Sequence, residues 1–236
     1  MSIKLLSFDL DDTLWPCWVT IKKAEEIVHS WFETHHPQIS DKYSIKQLLQ
    51  KRIRLKNLNP HLSHDISAVR YLSLQELAEE NQLNVEQTKQ FVQQAFDVYF
   101  FARNQVQLFD DVLPVLTKIK ASYKMIGVSN GNSDINKTTT GLDQLFEFSW
   151  SAAQAGKEKP HPKIFFDIME KTALKPHNII HIGDDPVSDI QGAHNAGIAS
   201  VWLNRENKSW PKEITPAKYE IDSLYQLNDI LTQLKT

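Results

Sequence analysis

Apolar residues follow two different rhythms along this chain. Ile3 to Phe8 is an almost unbroken apolar run, broken by one lysine and one serine, and it stops at Asp9. Such a run reads as a strand covered on both faces, the signature of a parallel sheet. Lys124–Ser129, Asn178–Gly183 and Ala199–Leu203 repeat the pattern. Helical patterns stand beside these runs, at Asp111–Ser122, Pro162–Ala173, Val187–Ala196 and near Leu224–Leu234. The chain beyond about residue 105 therefore predicts β–α–β units around a parallel sheet. Between Val19 and Arg103 the rhythm changes: glycine is all but missing and no strand pattern stands out. There Val85, Thr88, Phe91, Val92, Ala95 and Tyr99 recur at the spacing of an amphipathic helix. Ile21–Phe32, Ile45–Leu55 and Ile66–Ala78 also read as helices, punctuated by Pro37 and Pro60.

The arrangement predicts an α/β fold with a Rossmann-like parallel sheet core, discontinuous over residues 1–16 and 105–236. An all-helical domain at 17–104 interrupts it just after the first strand. Composition then narrows the setting. A hydrophobic share of 41% and an aromatic share of 10% over 236 residues suit a folded chain. A net charge of −3 argues against a dedicated nucleic-acid binder, without excluding phosphate substrates met by a local positive field. Cys17 is the only cysteine, so no internal disulfide forms and a reducing compartment is the simpler reading. The opening apolar run is too short for a signal peptide, and no stretch approaches the roughly 20 apolar residues that span a bilayer. The expectation is a cytoplasmic protein with no membrane partner, in which the sequons at Asn136 and Asn207 are chance matches.

Ligands of open α/β sheets bind beyond the carboxyl ends of the strands. The first predicted strand ends in Asp9-Leu10-Asp11-Asp12-Thr13, the second in Ser129-Asn130-Gly131, and a later one in Gly183-Asp184-Asp185, followed by Asp189. Lys159 precedes Pro160 at the approach to a helix. Carboxylates gathered at one edge repel each other and call for a cation; an oxygen-only set suits Mg²⁺. A strand-end carboxylate can attack phosphorus, and a second, two residues on, can move the proton. A hydroxyl, loop N–H groups and a lysine can neutralise the phosphoryl oxygens. Each piece alone has an ordinary reading: a loop Asp-x-Asp, a Ser-Asn-Gly turn, a solvated lysine, an aspartate capping a helix. Their joint occurrence, in order and at successive strand ends, favours phosphoryl transfer.

These motifs resemble those of the haloacid dehalogenase (HAD) superfamily along the whole chain. Phe8-Asp9-Leu10-Asp11-Asp12-Thr13-Leu14 is similar to its first motif, Ser129 to its second, Lys159 in Lys159-Pro160-His161-Pro162 to its third, and Gly183-Asp184-Asp185-Pro186-Val187-Ser188-Asp189 to its acidic fourth. The resemblance implies Asp9 as nucleophile and metal ligand, and Asp11 as general acid/base with its backbone carbonyl on the metal. It further implies Asp184 as a direct metal ligand, Asp189 as an outer-shell metal or bracing carboxylate, and Ser129, Asn130 and Lys159 as phosphate-binding. Asp185 stays ambiguous. The helical domain would be a cap that closes over the site and selects a small-molecule phosphomonoester. His161 stands where relatives carry an aspartate, and a poorly capped helix is expected there.

Trp15, the Ser129-Asn130-Gly131-Asn132 run and Gly192-Ala193 look most like bacterial phosphatases of flavin mononucleotide and riboflavin-pathway phosphates. Trp15 is then a candidate to stack on the substrate ring, whereas Trp31 and Phe32 read as helix packing. His35 with His36 and His61 with His64 lack the partners of a metal site. Alternatives are a phosphatase of nucleoside monophosphates, phosphoglycolate or sugar phosphates, a metal-free 2-haloacid dehalogenase, and a non-catalytic binding protein of the same fold. Asp11 and the Asp184/Asp189 pair speak against the dehalogenase, and the intact motifs against the binding protein.

Overall fold

The computed structural model describes residues 3–234. They fall into two compact units, residues 3–16 with 107–234, and Cys17–Val106. The first is built on a six-stranded sheet in the order β3-β2-β1-β4-β5-β6. Its strands are β1 (Leu5–Phe8), β2 (Lys124–Ser129), β3 (Phe148–Ser151), β4 (Ile179–Gly183), β5 (Ala199–Leu203) and β6 (Tyr219–Ile221), all paired in parallel. β1 lies in the middle and is buried throughout, as its unbroken apolar run requires. Phe8 pairs with Gly127 on one side and Ile182 on the other. That register brings Asp9, Ser129 and Asp184 out at the same edge.

The helices beside this sheet present narrow apolar faces to it. In one (Val112–Ile119), Val112, Val115, Leu116 and Ile119 are buried, at i, i+3, i+4 and i+7. In another (Lys163–Thr172), Ile164, Phe165 and Ile168 are buried and join a core with Leu5, Ile126, Val128 and Ile179. Two strands were not foreseen. β3 and β6 are the short sheet edges, and β3 is only half-buried, so neither carries a long apolar run. The helix expected over Val187–Ala196 divides into a wide π-helical turn at Pro186–Gln191 and a short α-helix at Gly192–Asn195.

The second unit contains α1 (Cys17–His35), α2 (Pro37–Ser40), α3 (Ile45–Leu58), α4 (Ile66–Glu80) and α5 (Val85–Arg103). α3 and α5 open with reciprocal capping boxes, Ser44 with Gln47 and Asn84 with Gln87. Its core joins Ala24, Val28 and Phe32 of α1 to Phe91, Ala95 and Tyr99 of α5. Phe32 and Phe91 stack with ring centroids 5.8 Å apart, and Trp31 packs against the same cluster. A charge sits inside this unit. Glu25 Oε1 accepts from Arg70 at 2.5 Å and lies 2.6 Å from Arg52 Nη2, while the Arg70 guanidinium lies over the Tyr99 ring at 3.2 Å. Among the described residues no helix is long and apolar enough to cross a membrane.

Candidate active site

The loop after β1 is closed on itself. Asp9 is buried, and its N–H donates to Ile182 O across the sheet at 2.9 Å. The Leu14 N–H donates to Leu10 O at 2.8 Å and the Asp12 N–H to Trp15 O at 2.7 Å. Asp12 takes a left-handed φ of 61°, which aspartate tolerates better than most side chains. Thr13, fully buried, donates through Oγ1 to Asp184 Oδ1 at 3.2 Å. The far side of the loop is tied down by the Phe109 N–H on Leu14 O at 3.0 Å and by Arg205 Nη2 on Thr13 O at 3.0 Å. Arg205 is itself held by both oxygens of Asp111, at 2.8 and 2.9 Å.

Trp15 departs from expectation. Its ring is fully buried, at 0% exposure, and its Nε1–H donates to Asp11 Oδ1 at 2.8 Å. No face is open for a substrate ring, so the stacking role foreseen for Trp15 is corrected. A tryptophan with a buried polar edge needs an acceptor, and Asp11, four residues back, supplies it.

Lys159 is buried beside Asp9. Its ammonium donates to Asp9 Oδ1 at 2.6 Å, to Asp189 Oδ1 at 2.6 Å and to Val128 O at 2.8 Å, which uses all three of its protons. Asn130 clamps the lysine's backbone: the Lys159 N–H donates to Asn130 Oδ1 at 2.7 Å, and Asn130 Nδ2 donates to Lys159 O at 2.9 Å. The Asn130 side-chain amide is therefore spent on placing Lys159. Ser129, also buried, accepts the Gly131 N–H at 2.8 Å, and its hydroxyl proton points the residue toward a donor role. His161, expected to cap badly, accepts the Lys163 N–H through Nδ1 at 3.2 Å.

The β4 end supplies the acids. Asp9, Asp184 and Asp189 offer oxygens that all lie within 4.8 Å of one another, a grouping able to hold a metal ion. Asp184 is fixed by Thr13 and by the Trp202 Nε1–H on its carbonyl at 2.8 Å. Asp185 caps the π-helical turn, accepting from the N–H groups of Val187 and Ser188 at 3.0 and 2.6 Å. That turn brings Asp189 back, where Oδ2 accepts the Asp185 N–H at 3.0 Å. His181, buried in β4, lies 3.2 Å from Asp189 Oδ1 through Nε2 and 2.9 Å from Ser7 Oγ through Nδ1. Gly183 makes room for this: a Cβ there would lie 2.3 Å from Asp189 Cγ.

The electrostatics show where positive charge is short. Burial raises Asp9 well above the usual carboxylate range; Asp189 and Asp184 add to that rise, and Lys159 opposes it. Asp184 is pushed up to about 7, by burial and then by Asp189, Asp12 and Asp185. Asp189 goes the other way: burial would raise it, but Lys159 and His181 hold it below its ordinary value. Lys159 stays protonated, since Asp189 and Asp9 outweigh its burial. One ammonium thus faces three acids, all oxygen donors, two of which are reluctant to ionise. A hard divalent cation among them would relieve that strain.

The structure gathers Asp9, Asp184, Asp189 and Lys159 directly, with Ser129 and Asn130 on the adjoining strand end. The Asp11 carboxylate is not in the metal-binding group. Sequence reasoning missed Thr13, His181, Trp202 and Arg205 as supports of the loop and of Asp184 and Asp189. Two signals were visible: a threonine within the Asp-x-Asp-x-Thr motif, and a histidine inside an otherwise apolar strand.

Comparison with known proteins accords with this geometry. The profile of the haloacid dehalogenase-like hydrolases matches residues 3–197. The chain is 25% identical over 233 residues to 5-amino-6-(5-phospho-D-ribitylamino)uracil phosphatase YigB of Escherichia coli, covering 97% of this chain and 96% of that one. Pyrimidine 5'-nucleotidase YjjG of the same species is 31% identical over 121 residues, with 50% of this chain and 53% of that one covered. Among solved structures, a 2-haloacid dehalogenase from Pseudomonas syringae pv. Tomato superposes with a TM-score of 0.90 at 32% identity, covering 98% of this chain and 99% of that one.

Proposed function

Since the chain belongs to the haloacid dehalogenase-like hydrolases and is a phosphoric monoester hydrolase, we propose that Asp9 is its nucleophile and that a riboflavin-pathway phosphate is its substrate. The observation that carries the first part is the set of buried Asp9 and Asp189 and part-buried Asp184, with Lys159 against it. Asp9 attacks phosphorus, an Asp9–phosphorus bond forms and the ester P–O bond breaks, while Asp11 gives its proton to the departing oxygen. Water then attacks the phosphoaspartate and loses a proton to Asp11, which frees Asp9 and phosphate. Ser129 donates to a phosphoryl oxygen, as do backbone N–H groups of the Asp9 and Ser129 loops. Lys159 keeps Asp9 aimed, with its three protons on protein acceptors.

The residues fit Mg²⁺. Asp9 and Asp184 would hold it through carboxylate oxygens and Asp11 through its carbonyl, with Asp189 bracing Lys159. When bound, Mg²⁺ supplies the positive charge that the acids lack and that the phosphoryl group gathers in transfer. The substrate reading rests on full-length similarity to a phosphatase of a phosphorylated ribitylamino-pyrimidine. A planar ring on a phosphorylated polyol chain, as in that compound or in flavin mononucleotide, is the class we infer. We place the reaction in a reducing cytoplasm, where a single cysteine is unremarkable.

Phosphate release tests the substrate. Those two compounds should exceed phosphoglycolate, hexose phosphates and nucleoside monophosphates in kcat/KM. If one of the latter wins, the riboflavin assignment is wrong and the phosphatase stands. A second reading, halide displacement from a 2-haloacid, is favoured by the Pseudomonas syringae structure. Halide release from 2-chloropropionate that survives EDTA would establish it.

A further inference from the structure

Trp15 has the geometry of a device rather than of filler. Its indole ring is fully buried, and its N–H is 2.8 Å from Asp11 Oδ1. Its backbone is held as firmly: Asp11 and Trp15 face each other in an isolated β-bridge, and the Asp12 N–H donates to Trp15 O at 2.7 Å. One residue back, Leu14 donates to Leu10 O and accepts from Phe109, and Arg205 fixes Thr13 O. A side chain with two torsions, buried on a pinned backbone, offers its N–H at one point in space.

We propose that Trp15 is a positioning residue for the acid/base Asp11, an inference that rests on the phosphatase reading above. An indole N–H can donate and never accept. It therefore holds Asp11 Oδ1 as an acceptor, so that the proton Asp11 exchanges is carried by Oδ2. That fixes both the side-chain rotamer of Asp11 and the oxygen through which its proton leaves. In the first step the proton on Oδ2 passes to the departing alcohol oxygen as the P–O bond breaks. In the second, a proton of the attacking water passes to Oδ2 as the phosphoaspartate opens. Removing the indole N–H removes that constraint on Oδ1.

The test deletes the N–H and keeps the shape, by placing 3-benzothienylalanine at position 15, with Trp15→Phe as the simpler companion. Rapid-quench measurement of the first step compares an alkyl phosphate, whose leaving oxygen needs the proton, with p-nitrophenyl phosphate, which departs without one. The alkyl rate should fall about 10–100-fold and the aryl rate no more than about threefold, a loss in keeping with misplacement of a catalytic group. KM for both esters should stay near the wild-type value. Asp11→Asn, run alongside, should show the same split in stronger form. If Asp11→Asn splits the two esters and the benzothienyl enzyme does not, Trp15 only packs the loop and the inference is overturned. If Asp11→Asn slows both esters equally, the acid/base reading fails and takes this inference with it.

Discussion

Gly183 lies at the point where the acid cluster has no spare room. A Cβ at that position would meet Asp189 at 2.3 Å, and Asp189 in turn holds Lys159 at 2.6 Å. Gly183→Ala should push the carboxylate off its lysine. We expect kcat on an aryl phosphate to fall by about tenfold or more, as a displaced catalytic group can. Stability should drop by only about 1–3 kcal/mol, the usual cost of overpacking, checked by urea titration. Asp9→Asn should leave less than a few per cent of turnover while the fold persists by circular dichroism; substantial residual activity would remove Asp9 as nucleophile. The acids and Lys159 were legible because each follows an apolar run or sits before a helix, where the topology gathers chemistry. The residues that hold them were not. Thr13 and Asp184 are far apart in sequence, as are Arg205 and Thr13, and only the folded register brings them together. Trp15 misled for a related reason: its position beside Asp11 was right, but which way its ring faces is decided by the loop's closure.

Among the elements, those with strong periodicity were the readable ones. β1, β2, β4 and β5 are buried runs, and α5 shows its stripe plainly. β3 and β6, at four and three residues on the sheet edges, are too short to show a period. α1 carries a further signal that the pattern contained. Glu25 falls on the same stripe as Val28 and Phe32, and all three are buried. Burial alone would raise the Glu25 carboxyl, but Arg70 and Arg52 outweigh it and leave the group below its ordinary value. Asp111 has the same sign: Arg205, Ser223 and Leu224 hold it down against burial. A carboxyl with a depressed folded pKa adds stability in full above its unfolded value, about 4 for these groups, and loses it as pH falls through the folded value. The thermal midpoint should therefore drop steeply once the pH passes below about 4. Glu25→Gln should flatten part of that slope and cost roughly 3–5 kcal/mol at neutral pH, because two guanidinium groups lose their buried counter-charge. A variant as stable as the wild type at neutral pH would show that Arg52 and Arg70 do not depend on Glu25.

At the scale of the whole molecule, the proposed Mg²⁺ site would tie metal binding and folding into one equilibrium. Mg²⁺ at a hundred times its Kd adds about 2.7 kcal/mol to a protein that binds it only when folded. Titrating Mg²⁺ into the chelated wild type should raise the melting temperature without any substrate present. Asp184→Asn should need far more metal for the same rise, and an unchanged response would take Asp184 out of the site. The order of the sheet has a consequence of a different kind, for synthesis. β1 is made early, yet its neighbours on both sides come late: Leu5 pairs with Lys124, 119 positions on, and with Ile179, 174 positions on. At about 5–20 residues per second, the first of those partners follows roughly 6–24 s behind. During that interval the helical unit, Cys17–Val106, emerges complete, while Leu5, Leu6 and Phe8 stay unpaired. The central strand of the finished sheet is thus the segment that waits longest on the ribosome. Chaperone crosslinks on arrested nascent chains should concentrate at Leu5–Phe8 until β2 and β4 have left the exit tunnel, and protease protection of the helical unit should precede that of the sheet.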